Sequence, residues 1–199
     1  ATEDAFGPVE VFCANAGVLV LGGVHAPDEE WRRAFDINVM SHVYAARAVL
    51  PGMVERGEGY LLHTASAAGL LTQLGAAPYS MSKHAAASIA EWISITYGDT
   101  GVKVSCLCPQ AVRTEIAAFL GVPMGTPASQ GGDVSHASSD GVLEPEDVAR
   151  VVIQGLRDER FLILPHDEVE EYERRRAGDR ERWLRGMRRQ QARIGLPKF

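Results

Sequence analysis

The sequence predicts an α/β fold built on a parallel sheet. Four short runs, residues 9–14, 60–65, 102–108 and 161–164, are apolar throughout or nearly so, as strands buried on both faces are. The stretches between them have helix length and carry apolar residues at helical spacing. Alternation of this kind produces βαβ units with parallel neighbouring strands. At 199 residues the chain can bury roughly 70% of its unfolded surface in one core.

Each element has its own signal. The run 9–14 leads into Asn15-Ala16-Gly17. Asp28 is placed to cap a helix with Trp31, Phe35, Val39, Val43, Ala46 and Leu50 on one stripe, ending near Gly57-Glu58-Gly59. The run 60–65 is followed by Ser66, and residues 78–97 form a helix with Ala85, Ile89, Trp92 and Ile93 inward, stopping at Gly98 and Gly101. After the run 102–108, a further helix opens at Glu144-Pro145-Glu146-Asp147. Proline suits its first turn, and the acids face the positive end of the helix dipole.

Two segments break this rhythm. Residues 121–141 are rich in Gly, Pro, Ser, Asp and Thr, a loop length that marks either a functional or a disordered segment, with 115–141 the candidate lid. Residues 166–199 form a charged tail with sparse apolar positions Val169, Tyr172, Trp183, Leu184 and Met187. The tail reads as one or two surface helices docked on the body, residues 1–165, or on a neighbouring subunit.

The net charge of −6 is uneven: residues 167–199 hold ten Lys/Arg against seven Asp/Glu, and the remainder ten against nineteen. An acidic body disfavours nucleic acid as a ligand. In the tail, Arg174-Arg175-Arg176 and Arg188-Arg189 lie among acids that neutralise the helix faces. No apolar run reaches the roughly 18 residues of a membrane span, and the first residues do not resemble a signal peptide, so a cytoplasmic protein is expected. Cys13, Cys106 and Cys108 make an odd set without zinc-site spacing, which predicts reduced thiols packed in the core and no metal.

Tyr79 and Lys83 stand four apart at the start of a helix, on one face and one turn apart. A lysine about 4 Å from a phenolate stabilises it by roughly 4 kcal/mol at an effective dielectric near 20. Such a partner moves a tyrosine pKa from about 10 toward 7, where it can exchange protons. Ser66, thirteen residues before Tyr79, follows a strand at the end where parallel sheets bind ligands. Its hydroxyl can hold a carbonyl or alcohol. A serine nucleophile is disfavoured, because no Gly-x-Ser-x-Gly elbow is present. His63, on the same run, is expected to pack in the sheet.

Ser66, Tyr79 and Lys83, with Asn15-Ala16-Gly17 and Asn38, resemble the classical short-chain dehydrogenase/reductase family. Residues 109–114 look like that family's Pro-Gly-x-x-x-Thr segment, and the resemblance runs from residue 1 to about 165. It implies a Rossmann-like, doubly wound parallel sheet in a three-layer α/β/α arrangement. It also implies an NAD- or NADP-dependent oxidoreductase interconverting a secondary alcohol and a ketone. In these terms Tyr79 is the acid/base, Lys83 lowers its pKa and binds the nicotinamide ribose, Ser66 orients the substrate, and Asn38 holds a relay water. Asn15, Ala16 and Gly17 line the cofactor floor, while Pro109, Gln110, Val112 and Thr114 flank the nicotinamide. The family further implies a homodimer or homotetramer, with the Asp28 and Tyr79 helices packing on copies of themselves.

Two departures qualify the resemblance. The family's Thr-Gly-x-x-x-Gly-x-Gly turn is not found: neither Gly22-Gly23 nor Gly131-Gly132 lies between a strand and a helix in the required way. Nor is there a residue to choose NAD over NADP. Counted back from Asn15, the family's first strands are absent, on the order of 60 residues at the length of two βαβ units. A fragment or truncated gene model is the expectation, with a non-catalytic binding or oligomer-scaffold subunit as the alternative function. The second departure is Gln110-Ala111 where the family has glycine after the proline, a bulk expected to narrow the pocket.

Overall fold

The computed structural model describes residues 2–118 and 140–195. Strands β1 (Val11–Ala14), β2 (Gly59–Thr64), β3 (Val102–Leu107) and β4 (Leu162–Ile163) form a parallel sheet in that spatial order. Cys13 pairs with Leu62, Leu62 with Ser105, and Leu107 with Ile163. These are the four runs singled out by composition, with ends shifted by one or two residues.

Helices cover the sheet on both faces. Alternate residues of β2 divide between them, Leu61 into one core and Leu62 into the other. On the Leu61 side lie α3 (Ser41–Arg56) and α5 (Ala77–Tyr97), packing Met53, Leu50, Ala86, Ala90 and Ile93 against Val102, Val104 and Cys106. On the Leu62 side, Val148 of α7 (Pro145–Arg157) packs with Leu107 and Ile163. The remaining helices are α1 (Thr2–Phe6), α2 (Asp28–Phe35), α4 (Ala68–Leu71), α6 (Glu115–Ala118), α8 (Glu168–Gly178) and α9 (Arg180–Arg193).

Several expectations need correction. Asp28 does not cap its helix: it is the first helical residue, preceded by Pro27, and makes no capping bond. The helix it opens is not continuous, because a π-helical turn, Asp36–Met40, separates α2 from α3. The wider turn shifts the helical phase, so Ala34 is buried while Phe35 is exposed, and Val39, Ala46 and Leu50 return inward. In α5 the buried stripe runs through Ala86, Ala90 and Ile93, leaving Trp92 54% exposed. Strand β1 is not buried on both faces. It bonds to β2 alone among the described strands, and Val11 and Cys13 are exposed, so only Cys106 and Cys108 are core thiols.

Loops are pinned where they leave the sheet. After β1, Gly22 pairs with Ala76 just ahead of α5 through Gly22 N–H to Gly75 O and Ala77 N–H to Gly22 O, both 2.8 Å. After β3, Val112 pairs with Leu143, and Arg113 forms an ion pair with Glu144 at 2.8 Å. Of the lid expected over 115–141, residues 119–139 lie outside the described residues.

Candidate active site

The carboxyl ends of β1, β2 and β3 open into one cavity of about 590 Å³. Its wall contains Asn15, Ala16, Gly17, Ser66, Tyr79, Lys83, Pro109, Gln110, Val112 and Thr114. Each comes from a segment the fold brings to the same edge. The Asn15–Gly17 segment follows β1, Ser66 follows β2, Tyr79 and Lys83 occupy the first turns of α5, and residues 109–114 follow β3.

Lys83 is buried, with its Nζ 5.8 Å from the Tyr79 ring centroid and donating to the Thr64 carbonyl at 2.9 Å. Thr64 Oγ1 in turn donates to Asn15 Oδ1 at 2.9 Å. Ser66 Oγ accepts from Ala68 N–H at 3.1 Å and donates weakly to the Pro109 carbonyl at 3.4 Å. Gly17 is where backbone must come close: a Cβ there would stand 3.2 Å from both Lys83 Nζ and Asn38 Oδ1.

Asn38 alone of the expected site residues does not line the cavity. Fully buried one layer behind, its Oδ1 accepts from Val18 N–H at 2.8 Å. Its Nδ2 donates to the Val18 carbonyl and to Ser82 Oγ, each at 2.9 Å. Ser82 Oγ closes the chain by donating to the Tyr79 carbonyl at 2.8 Å. The π-helical turn carries Asn38 to this position, clamping the loop that follows β1 to α5.

A family model described as short chain dehydrogenase matches residues 1–122, more than half of the chain. The protein belongs to the short-chain dehydrogenase family. It is 37% identical over 170 residues to 1-deoxy-11-beta-hydroxypentalenate dehydrogenase of Streptomyces exfoliatus, covering 83% of this chain and 58% of that one. It is 32% identical over 166 residues to 17-beta-hydroxysteroid dehydrogenase 13 of Mus musculus, covering 80% and 49% respectively. The chain thus spans 58% and 49% of the length of these two relatives. Among solved structures, a short chain dehydrogenase/reductase from Burkholderia phymatum in complex with NAD superposes with TM-score 0.76 at 30% identity, covering 90% of this chain and 69% of that one. The fold is shared with a short-chain dehydrogenase from Sphingobium yanoikuyae in complex with NADPH, at TM-score 0.67 and 19% identity over 95% of this chain and 66% of that one.

In this family member, electrostatics at the cavity is governed by burial. Removal from water raises the Tyr79 pKa above its ordinary value, opposed by the Ser66 hydroxyl. The same desolvation lowers Lys83 to about 8. The downward shift expected for Tyr79 from its lysine is therefore not found at this site.

Other contributors, apart from Leu71, whose apolar character in the sequence hints at a pocket, were not legible as site residues. Leu19, Leu71, Ile116, Tyr172, Trp183 and Met187 give the cavity an apolar wall. The last three reach it from the tail, because α8 packs against α4, Val169 is fully buried, and α9 packs back on α8. Behind the site, His63 is buried as expected and meets His42 of α3, Nδ1 to Nδ1 at 2.8 Å. Burial holds both imidazoles neutral, His42 at about 3 and His63 at about 4, so one ring donates and the other accepts. His42 faces inward in a helix without any local sequence signal.

Proposed function

We propose that the protein is an NAD- or NADP-dependent oxidoreductase interconverting a secondary alcohol and a ketone. The observation that carries this reading is the convergence of Ser66, Tyr79 and Lys83 on one cavity whose floor is Asn15, Ala16 and Gly17. The residues fit the nicotinamide half of a dinucleotide. An ammonium has three N–H donors and Lys83 spends one on Thr64, leaving donors for ribose hydroxyls beside a close-approach glycine. The sequence holds no glycine-rich turn for the pyrophosphate, so that half is not assigned to residues of this chain. When bound, the cofactor supplies or accepts hydride at the substrate carbon.

The chain's own groups manage the oxygen and its proton. Ser66 Oγ, held by a long bond to the Pro109 carbonyl, turns to the substrate oxygen and fixes its place. Tyr79 Oη gives a proton to the ketone oxygen, or takes it from the alcohol in the reverse direction. Lys83 Nζ stabilises the phenolate that results, and Asn38 keeps the loop carrying Gly17 and Val18 against α5. Relatives named as a hydroxypentalenate dehydrogenase and a hydroxysteroid dehydrogenase support an alcohol substrate. The wall of Leu19, Leu71, Ile116, Trp183 and Met187 favours an apolar one.

Tyr79→Phe is the test. Turnover of a panel of apolar ketones with NADH or NADPH should fall by roughly 10²- to 10⁴-fold. Cofactor affinity, read by nicotinamide fluorescence, should stay within a few-fold. Unchanged turnover would remove Tyr79 as the acid/base.

A further inference from the structure

Gln110, the residue that replaces the family's glycine, lines the cavity with its side chain tied to a neighbouring carboxylate. Its Nε2 donates to Asp140 Oδ2 at 2.9 Å. The other carboxylate oxygen, Oδ1, accepts from the Tyr172 hydroxyl at 3.0 Å. Gln110 is also held by its backbone, whose N–H donates to His166 Nδ1 at 3.2 Å. Three segments distant in sequence therefore meet at one carboxylate: the loop after β3, the segment entering α7, and tail helix α8.

The contacts continue toward the reacting end of the cavity. Gln110 follows Pro109, whose carbonyl accepts from Ala67 N–H at 2.9 Å and from Ser66 Oγ at 3.4 Å. The neighbouring backbone pairing of Val112 with Leu143 brings Asp140 to this loop. On the tail side, the Tyr172 ring lies 6.4 Å from the Trp183 ring of α9, and both line the cavity.

We propose that Asp140 is a positioning residue: through Gln110 it sets the loop whose Pro109 carbonyl holds Ser66, and through Tyr172 it seats α8 and α9 as the cavity's outer wall. Docking of the tail and placement of Ser66 are then one event. A carboxylate suits this role because it accepts at both oxygens and each bond to it is charge-assisted. The added side chain at position 110 thus serves as the loop's handle. The role assigned to Ser66 rests on the oxidoreductase reading; the coupling between tail and loop does not.

Hydrogen exchange followed by mass spectrometry tests the coupling without turnover. Coupling between two sites is reciprocal. Tyr172→Phe, which deletes one tail hydroxyl, should speed exchange in residues 109–114 about tenfold, the size expected for one bond to a charged group. Gln110→Ala should likewise speed exchange in α8, while the β2 and β3 amides keep their rates. Asp140→Ala should do both. Asp140→Asn, which can still accept from Gln110 and donate to Tyr172, should keep protection between that of Asp140→Ala and the wild type, because both bonds survive without the charge.

Loop exchange unmoved by Tyr172→Phe would overturn the proposal. So would equal acceleration across β2 and β3 in both Tyr172→Phe and Gln110→Ala, which would mark plain loss of stability. In protein that turns over, Tyr172→Phe should lower kcat more than it raises the KM for cofactor. Absence of turnover in the wild type would count against the oxidoreductase reading and leave the exchange result standing.

Discussion

Tyr79 and Lys83 share a wall that shields both from water, and burial acts on them in opposite senses, raising the phenol and lowering the ammonium. For Lys83 the consequence for stability can be signed. Its folded value is about 8 against 10.5 unfolded, so the unfolded chain binds the extra proton between those values and stability rises with pH across that window. Below about pH 8 the full cost of the buried charge is present, on the order of 3 kcal/mol for such a shift. Its hydrogen bond to Thr64 returns about 1 kcal/mol. Lys83→Met should therefore make the protein about 1–2 kcal/mol more stable at pH 7 in urea unfolding, and flatten the rise between pH 8 and 10.5. It should abolish turnover at the same time, a trade expected where a strained group serves function. A less stable variant with an unchanged pH slope would contradict a destabilising charge at this position. Residues of this kind were legible because Tyr79, Lys83 and Ser66 stand at short, fixed spacing. Asp140 and His42 were not, since their partners, Tyr172 and His63, are 32 and 21 residues away.

The elements were legible where a periodic pattern is set by burial alone. All four strands and the helix opening at Glu144-Pro145 appear within a few residues of their expected places. What escaped was phase within helices. The π-helical turn at Asp36–Met40 adds backbone between two ordinary helices, and period counting across it assigns Phe35 to the wrong face. Its cause is tertiary, the bonding of Asn38 to Val18 and Ser82, and leaves no mark in local composition. The contact of α4 with α5 also depends on one residue type. A Cβ on Gly69 would sit 2.5 Å from the Lys83 carbonyl oxygen and 2.7 Å from its carbon, atoms of a helix backbone that cannot rotate aside. Gly69→Ala should cost about 1–3 kcal/mol, the usual range for overpacking, measured by the shift of the urea midpoint at constant m. Because α4 follows Ser66 and α5 carries Tyr79, turnover should fall along with stability. An unshifted midpoint would mean that the two helices separate more easily than their contact suggests.

At the scale of the whole molecule, the outward faces of α3 and α5 carry apolar side chains that the body leaves uncovered. Tyr44 is 57% exposed, Trp92 54% and Ile95 77%, whereas the opposite faces of the same helices fill the core through Met53, Ala86, Ala90 and Ile93. A helix apolar on both sides has two surfaces to bury, and the sheet accounts for one. The family resemblance points to a second copy of the chain for the other, helix against like helix about a twofold axis, where each residue meets its own counterpart region. Charge placed on that face should then be repelled by its image, so that a single substitution acts twice. Tyr44→Glu combined with Trp92→Glu should shift sedimentation from dimer to monomer at micromolar concentration. Neither side chain lines the cavity, so the isolated subunit should retain its fold and its nicotinamide binding. Should the wild type sediment as a monomer, these faces would need another partner. Should the double variant remain a dimer, the interface would lie on other elements, with the exposed Val151 and Ile153 of α7 the next surface to charge.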